Sequence, residues 1–523
     1  MLKASAHELS RFLWLVIREL FNEFGVSIEG GRGFGKSMDV GDFMVIDADW
    51  TLVWVAIIVW AIILRSWEKS GILDRWNSSR VFKVILMIRG KQGLKILEKI
   101  SKPRRFWRAY GEVSLWLCSL ALFAVTLVVI LSFIGALLSP PTMDPPSVSE
   151  MVAIPGLNPI IPLGWGVIAF VVSLVIHEFG HGLIARAHGM RVRSFGLLML
   201  GPLPLGAFAE PQYQELMRAP RRERLRMFAA GPATNLFAAF VLMIMMGMLA
   251  SQVVAINDHI HVREIVKDSG ADLGGMQPWD TLVSIDGQEI IGVEGFREIL
   301  GNYSSGEQID IVVRRESGLR ETITVNLTDK HQYYLELGWS NESLVNLGVE
   351  VGDPFLGVMG MSEGTAGIDR LAGPFSPRWQ GNTLETAISV PIHSLTIMLT
   401  PFQMNGVAIH PFEQSLLQAG DGMVASLIGL DGIIFLVSLF FWLMWVNILL
   451  GFTNLIPMVP FDGGHMFRDL LHGSISGVKK VGKKLKLWNI HAIKVDHFAS
   501  KASSLSSLFF FIILVFLMVI PYF

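Results

Sequence analysis

The chain has 523 residues, of which 51% are hydrophobic and only 17% are charged, and its mean hydropathy is +0.49. Soluble domains carry about 25% charged residues, so this composition excludes an ordinary soluble protein and indicates membrane-spanning helices. The net charge of −2 carries little information because the charges are segregated along the chain, and the single cysteine, Cys118, excludes an intrachain disulfide.

Six apolar segments are long enough to cross about 30 Å of hydrocarbon, which takes about 20 helical residues. They lie at 50–66, 112–138, 161–185, 228–254, 427–457 and 505–523. We therefore predict a polytopic α-helical membrane protein with about six transmembrane helices. The preceding segment, residues 1–49, has an apolar patch interrupted by charges. It is predicted to be amphipathic and to lack a cleaved signal peptide.

Charged residues orient these spans. The region 50–140 is predicted to hold two transmembrane helices joined by a basic loop, since 65–108 contains 13 Lys and Arg but three acidic residues. The basic stretches 218–226 and 478–488 fall on the same side, whereas 255–425 holds 23 acidic residues against nine basic ones. By the positive-inside rule, the N-terminus and 255–425 lie outside the cell. Orientation and attraction to anionic lipid explain the basic loops, so no nucleic-acid partner is expected.

The third span contains the stretch "VVSLVIHEFGHGL", Val171 to Leu183. His177 and His181 are four residues apart, so on a helix they lie on one face and can bind one zinc ion at about 2.0–2.1 Å. Glu178 lies beside them, where a general base can take a proton from the attacking water. Structural, hydrogen-bonded histidines are the alternative. Ionisable groups within a span are costly, however, and function is their default explanation.

A catalytic zinc ion usually has three protein ligands, so one more is expected from another span. The candidate stretch is "NILLGFTNLIPMVPFDGGH", residues 447–465, in which prolines and glycines break an apolar helix. Non-helical backbone at membrane depth is tolerated where it is buried or faces water. Asp462 can therefore turn inward as an oxygen ligand, although an Asp-Gly pair is also a common helix-ending turn.

Residues 255–335 are predicted to form a small extramembrane α+β domain. The stretch has β-like alternation, a Gly-rich turn and the strand "DTLVSIDG". It resembles a PDZ domain, with Trp279 at a position where that family usually has glycine. The following region, 336–426, carries no recognisable fold signal and is predicted to be extramembrane or interfacial.

Taken together, the chain resembles the site-2 protease family of intramembrane zinc metallopeptidases. The family's first motif is His177-Glu178-Phe179-Gly180-His181, and its second is Asn454-x-x-Pro457-x(4)-Asp462-Gly463. This resemblance implies one Zn²⁺ per chain, held by His177, His181 and Asp462. It also implies that Asn454 and Pro457 lie beside the substrate.

The resemblance also implies a domain organisation. Residues 161–254 would hold core helices 1 and 2, 427–470 would hold core helix 3, and 471–523 would be a basic loop with a C-terminal span. The family often inserts a PDZ domain between core helices 2 and 3, which is where the PDZ-like stretch lies. Residues 194–210 resemble the family's membrane-dipping β-hairpin, whose edge can pair with an extended substrate. In "AAGPATNL", Asn235 is interpreted as a helix-packing residue.

The implied function is proteolysis within the bilayer, near the cytoplasmic side. By resemblance, the substrates are single-span membrane proteins already trimmed by another protease, and the PDZ-like domain acts as a size filter or docking site. One alternative is a catalytically inactive scaffold that binds membrane proteins through the PDZ-like domain. Another is a metal transporter, which would need polar residues spread through several spans.

Overall fold

A computed structural model describes residues 50–138, 147, 149–151, 153–201, 203–485 and 491–522. The predicted amphipathic segment, 1–49, lies outside the described residues. The α-helices in chain order are α1 (Trp50–Lys69), α2 (Ile72–Arg75), α3 (Lys91–Ile100), α4 (Arg104–Leu138), α5 (Leu163–Ala187), α6 (Tyr213–Arg218), α7 (Arg221–Ala250), α8 (Gly270–Leu273), α9 (Gly292–Leu300), α10 (Lys330–Glu336), α11 (Asn341–Asn346), α12 (Ala366–Ala372), α13 (Thr383–Thr396), α14 (Thr400–Gln403), α15 (Pro411–Ser415), α16 (Met423–Thr453), α17 (Asp462–Lys484) and α18 (Ala492–Val519).

The strands and 3-10 helices complete the described secondary structure. The strands are β1 (Ser78–Val81), β2 (Ile85–Gly90), β3 (Val192–Leu200), β4 (Leu203–Pro211), β5 (Val253–Ala255), β6 (Ile260–His261), β7 (Glu264–Ile265), β8 (Thr281–Ile285), β9 (Gln288–Glu289), β10 (Gln308–Arg314), β11 (Arg320–Asn326), β12 (Thr328–Asp329), β13 (Pro354–Phe355), β14 (Val358–Met359) and β15 (Leu417–Ala419). Short 3-10 helices lie at Gly373–Phe375, Ile397–Leu399 and Ile520–Tyr522.

The chain is a polytopic helical membrane protein. Within the described residues, five helices are long and apolar enough to cross a bilayer: α4, α5, α7, α16 and the stretch Lys494–Tyr522. They correspond to five of the predicted spans. The remaining predicted span, 50–66, falls within α1. The count of six spans stays a prediction.

Helices α5, α7 and α16 pack against one another and form the centre of the bundle. The hydrophobic core between them includes Ala169, Met243, Phe441 and Trp442. Helix α16 is interrupted at Gly429, whose φ of 67° is a left-handed conformation that glycine adopts without steric cost. After α16 the chain passes through a non-helical turn and enters α17 at Asp462.

A four-stranded antiparallel sheet, in the order β1-β2-β3-β4, lies beside this bundle. The residues predicted as a hairpin, 194–210, form most of β3 and β4, and β4 packs against α5. Whether the hairpin dips into the membrane stays a prediction. Strands β1 and β2 come from the basic loop, where the sequence predicts no strand. The indole of Trp60, in the middle of α1, donates a hydrogen bond to the Val84 carbonyl at 2.8 Å and holds this second hairpin.

A separate α+β domain is inserted between α7 and α16. Its main sheet has the order β11-β10-β8-β6, with β9 paired to β8, and its core includes Leu282, Ile285 and Ile311. The domain continues past the predicted boundary at 335, because β13 pairs with β12, β14 pairs with β7, and His261 bridges to Ser362. We call residues 258–363 the inserted domain and residues 364–422 the connecting segment.

The inserted domain leaves the bundle and returns to it at neighbouring points. Strand β5, directly after α7, pairs antiparallel with β15, directly before α16. A Cβ atom on Gly364 would lie 2.8 Å from Cβ of Ala255, so the two ends of the domain are adjacent. The connecting segment packs on α7 through α12, so it forms part of the bundle's surface.

Candidate metal centre

The HExxH histidines lie on one face of α5 and meet Asp462, the first residue of α17. Nε2 of His177 and Nε2 of His181 are 3.2 Å apart, and each lies 3.2 Å from Oδ2 of Asp462. Both histidines are buried. In the part of the chain that the structure describes, this is the one group of three or more such side chains whose ligand atoms converge. We call it the metal centre.

The spacing of these three atoms fits zinc. Tetrahedral zinc with ligands at about 2.0–2.1 Å requires its ligand atoms to lie about 3.3–3.4 Å apart. Two imidazole nitrogens and a carboxylate oxygen are also ligands that zinc prefers. Three protein ligands leave the fourth position of a tetrahedral site for water or substrate. The donor set and its geometry therefore suit a catalytic rather than a structural zinc site.

A backbone contact fixes the tautomer of His181. Its Nδ1 lies 2.7 Å from the carbonyl oxygen of Met227 on α7 and donates a hydrogen bond to it. The proton then resides on Nδ1, and Nε2 presents its lone pair to the other two ligand atoms. Partners of this kind orient metal-binding histidines and raise their basicity.

Asn235 on α7 lies beside Nδ1 of His177, as the Met227 carbonyl lies beside Nδ1 of His181. Its side chain is fully buried, and Nδ2 lies 3.3 Å from Nδ1 of His177, while Oδ1 has no hydrogen-bond partner among the described residues. The two ends of an amide have nearly the same size. Turned by half a rotation, the amide places Oδ1 where it accepts the hydrogen from Nδ1 of His177. That orientation satisfies the buried oxygen and leaves Nε2 of His177 unprotonated.

Gly231 allows α7 to approach the two histidines. A Cβ atom at this position would overlap the Nε2 atoms of both His177 and His181. Any larger residue would therefore occupy the space in which the ligand atoms converge. The stretch "AGPATN" thus supplies both an open space, at Gly231, and a buried amide, at Asn235.

Backbone contacts deliver Asp462 to the cluster. The N–H of Gly463 donates to the Asn454 carbonyl at 2.7 Å, which closes the turn between α16 and α17. A Cβ atom on Gly463 would lie 2.5 Å from the Leu455 backbone, so the turn requires glycine after Asp462. Farther along α17, Asp469 accepts hydrogen bonds of 2.7 and 3.0 Å from Arg224 of α7, which holds α17 against the bundle.

The other predicted site residues are placed differently. Glu178 follows His177 on α5 and is half-buried. The side chain of Asn454 donates to the Leu450 carbonyl one helical turn earlier, at 3.0 Å. Pro457 is buried, and its carbonyl accepts a hydrogen bond from Ser506 at 3.0 Å. The structure thus brings the three predicted ligands together, whereas it ties Asn454 and Pro457 into the turn that precedes Asp462.

The sequence profile of Peptidase family M50 matches residues 165–492, which is more than half of the chain. The chain belongs to Peptidase family M50. The predicted resemblance to the site-2 protease family and the predicted class, a zinc metallopeptidase, are thereby confirmed. The matched residues include all three side chains of the metal centre.

Individual relatives agree with this membership. An uncharacterized protein of Methanocaldococcus jannaschii is 28% identical over 274 residues, covering 52% of this chain and 70% of the relative. Zinc metalloprotease Rip1 of Mycolicibacterium smegmatis is 24% identical over 362 residues, covering 57% of this chain and 82% of the relative. Among solved structures, the PDZ domain of the SdrC-like protein from Listeria monocytogenes covers 20% of this chain at 16% identity, with a TM-score of 0.16. So slight a likeness supports no conclusion, and the PDZ-like identity of the inserted domain stays a prediction.

Proposed function

We propose that this M50 peptidase is an intramembrane endopeptidase that cuts transmembrane segments of membrane proteins. His177, His181 and Asp462 hold one zinc ion per chain, and Glu178 is the general base. The observation that supports this proposal is the convergence of three ligand atoms, 3.2 Å apart, between helices of a membrane protein. A carboxylate and two imidazoles are costly to hold within a membrane bundle, and a bound cation would offset that cost.

The residues of the chain divide the chemistry between them. Zinc bound here would supply a Lewis acid, which acidifies water and polarises a peptide carbonyl. Glu178 takes a proton from the attacking water and passes it to the leaving amine. Met227 and Asn235 keep the two imidazoles in the tautomers that leave Nε2 free.

The same proposal includes an orientation in the cell membrane. With the 13 basic residues of 65–108 on the cytoplasmic side, α5 runs inward and carries His177 and His181 in its inner half. Helix α16 also runs inward, so Asp462 is delivered at a similar depth. The active site then lies within the bilayer near the cytoplasm, and the inserted domain lies outside.

We further propose that substrates bind as an added strand. A peptide within a helix has its amides bonded internally, so cleavage requires local unwinding. Strand β4 ends the sheet order and packs against α5, the helix that carries the histidines. Backbone hydrogen bonds from this edge would compensate an unwound substrate for the bonds it lost. Single-span proteins already trimmed by another protease suit such a site, with the inserted domain excluding longer ones.

The test is the substitution Glu178→Gln in the full-length chain, in a membrane that also contains a single-span substrate. Cleavage should fall by about 10²–10⁴-fold, which is what a general base contributes, while zinc content stays unchanged. Glu98→Gln, which alters an exposed carboxylate on α3, is the matched control and should cleave normally. A Glu178→Gln chain that cleaved as well as the unaltered one would refute the role of Glu178, and an unaltered chain that cleaved nothing would favour a scaffold.

A further inference from the structure

Trp279 of the inserted domain has an unusual backbone conformation. Its φ is 72°, in the left-handed region that glycine adopts readily and that is a genuine outlier for a bulky side chain. Its N–H is fixed by a hydrogen bond of 2.6 Å to the Val262 carbonyl. A residue kept in a strained conformation needs a compensating contact elsewhere.

The compensating contact lies outside the inserted domain. The Trp279 ring stacks on the ring of His410 in the connecting segment, with ring centroids 3.9 Å apart and planes only 4° from parallel. Phe412 borders the same stack at 6.2 Å from Trp279 and at 5.6 Å from His261. The side chain of Trp279 therefore joins two parts of the chain that are 131 residues apart in sequence.

A buried ion cluster reinforces this contact. Glu413 of the connecting segment is fully buried and accepts two hydrogen bonds from Arg370, at 3.0 and 2.8 Å. Nε2 of His261, a fully buried residue of the inserted domain, lies 3.7 Å from Oε1 of Glu413. Burial raises the pKa of Glu413, but His261 and Arg370 together lower it to about 2. We call His261, Arg370 and Glu413 the docking cluster.

The connecting segment transmits this contact to the catalytic core. It packs on α7, which carries Asn235 and Gly231, and it leads through β15 into α16. Arg378 of the same segment donates to the Val253 carbonyl at 2.8 Å, just beyond the end of α7. A domain fixed to the connecting segment is therefore fixed relative to the bundle.

We propose that Trp279 is a specificity-determining residue, which pins the inserted domain over the bundle and so limits the size of the extramembrane part that a substrate can carry. This inference rests on the proposed function, in which the inserted domain excludes untrimmed proteins. A domain that is fixed to the connecting segment blocks large extramembrane parts of a substrate at all times. A domain attached only at Asn257 and Gly364 would move relative to the bundle and admit them. The strain at Trp279 is the local cost of that rigidity.

The substitution Trp279→Gly tests the contact between the inserted domain and the connecting segment without unfolding the inserted domain. Glycine suits a φ of 72°, so the domain's own fold should be kept while the stack is lost. Stacked aromatic pairs contribute a factor of about 2–12 to an equilibrium, so the undocked population should rise by about that factor. A second variant, His410→Asn, leaves the inserted domain unaltered. It removes the ring but keeps an acceptor for the Phe412 N–H, which the His410 side chain caps at 3.3 Å.

Docking is measured by the distance distribution between spin labels on Leu273→Cys, in the inserted domain, and Met423→Cys, at the start of α16. Both native side chains are about three-quarters exposed, at 77% and 76%, and the native Cys118 is buried and stays unlabelled. The distribution should broaden in Trp279→Gly and in His410→Asn. Trp339→Ala, a half-exposed tryptophan elsewhere in the inserted domain, is the matched control and should leave it narrow.

Cleavage of trimmed and untrimmed forms of one single-span substrate is then compared in the same variants. Trp279→Gly and His410→Asn should both cleave the untrimmed form faster, by the same factor of about 2–12 by which the undocked population rises. Their rate of cleavage of the trimmed form should not change. A chain lacking 258–363 sets the upper limit. Distributions that stayed narrow in both variants would overturn the proposal. Broadened distributions with unchanged selectivity would overturn the specificity role and the size filter, while normal cleavage of the trimmed form would leave the peptidase itself intact.

Discussion

Among the described residues, the metal centre and the docking cluster both combine buried histidine and carboxylate side chains, and they differ in what neutralises the carboxylate. In the docking cluster, the guanidinium of Arg370 forms two hydrogen bonds with Glu413, and a single histidine lies 3.7 Å away. In the metal centre, the ion-pair partners of Asp462 among the described residues are the two histidines, at 3.2 Å. The first cluster already contains its cation, whereas the second offers three lone pairs to a cation from outside.

This comparison separates a structural from a metal-binding site more sharply than burial does. Both clusters are removed from water, and both would be costly if a charge were left unpaired. The difference is convergence. The ligand atoms of the metal centre lie 3.2 Å apart, and Met227 and Asn235 contact Nδ1 of the two imidazoles. Neither ring nitrogen of His261 has a hydrogen-bond partner among the described residues.

The largest expected effect, on zinc content and cleavage, comes from replacing one histidine in each cluster by alanine. His181→Ala should remove the bound zinc and abolish cleavage, because a catalytic zinc site has only three protein ligands and this substitution takes one of them away. His261→Ala should leave zinc content and cleavage of a trimmed substrate intact. Metal analysis of the two purified proteins, made side by side, checks this. Zinc lost from both variants alike would show that the comparison is mistaken.

An intermediate effect is expected from Arg370→Ala. Removing the guanidinium leaves Glu413 as a buried charge without its principal partner, which typically costs about 3–5 kcal/mol. The free energy of local opening at residues 410–416, measured by hydrogen exchange on the full-length protein, should fall by about that amount. Arg297→Ala breaks an exposed ion pair with Glu294 and serves as the control, with no measurable change expected. Equal protection in the two variants would mean that the docking cluster contributes nothing to stability.

The smallest effect is expected from Asn235→Ala. Partners that orient metal-binding histidines typically change zinc affinity about 10–100-fold, so a chelator should extract zinc correspondingly faster. Asn235→Asp keeps an acceptor for Nδ1 of His177 and should restore retention. The control is Asn447→Ala, which removes an equally buried amide that bonds to Ser173 at 2.7 Å and not to a ligand. If both alanine variants lost zinc at one rate, Asn235 would be a packing residue, as the sequence suggests.

The sequence predicts the metal centre better than its surroundings because the chemistry resides in short motifs. Helical spacing places His177 and His181 together, and the helix-breaking residues around Asp462 indicate a turn at membrane depth. The role of Asn235 depends on how α7 packs against α5. That packing is a tertiary contact, which local sequence patterns do not determine. The signal that could have found it is the stretch "AGPATN", in which Gly231 permits that packing.

The sheet and the docking cluster were harder to predict for physical reasons. Hairpin turns usually have glycine or asparagine where φ is positive, but the three-residue turn between β1 and β2 has Phe82 and Lys83 there, with φ of 48° and 68°. Its residues therefore look like part of a basic loop. The docking cluster joins residues 261, 370 and 413, which are too far apart in sequence for any local pattern to relate them. The predicted PDZ-like boundary at 335 missed β13 and β14 because a short helical pair, α10 and α11, separates them from β11.

If the substrate pairs with β4 as proposed, the order of the β1-β2-β3-β4 sheet has a consequence for the direction of the bound polypeptide. Hairpin β1-β2 covers one side of β3, so the sheet ends beside α5 at β4, which runs from Leu203 to Pro211. A strand added antiparallel there would travel the opposite way, and its polarity would be set before any side chain was recognised. Such an enzyme would distinguish membrane proteins by which terminus faces the cytoplasm. It would cleave those of one topology, because the strand of the opposite topology would run the wrong way past the active site.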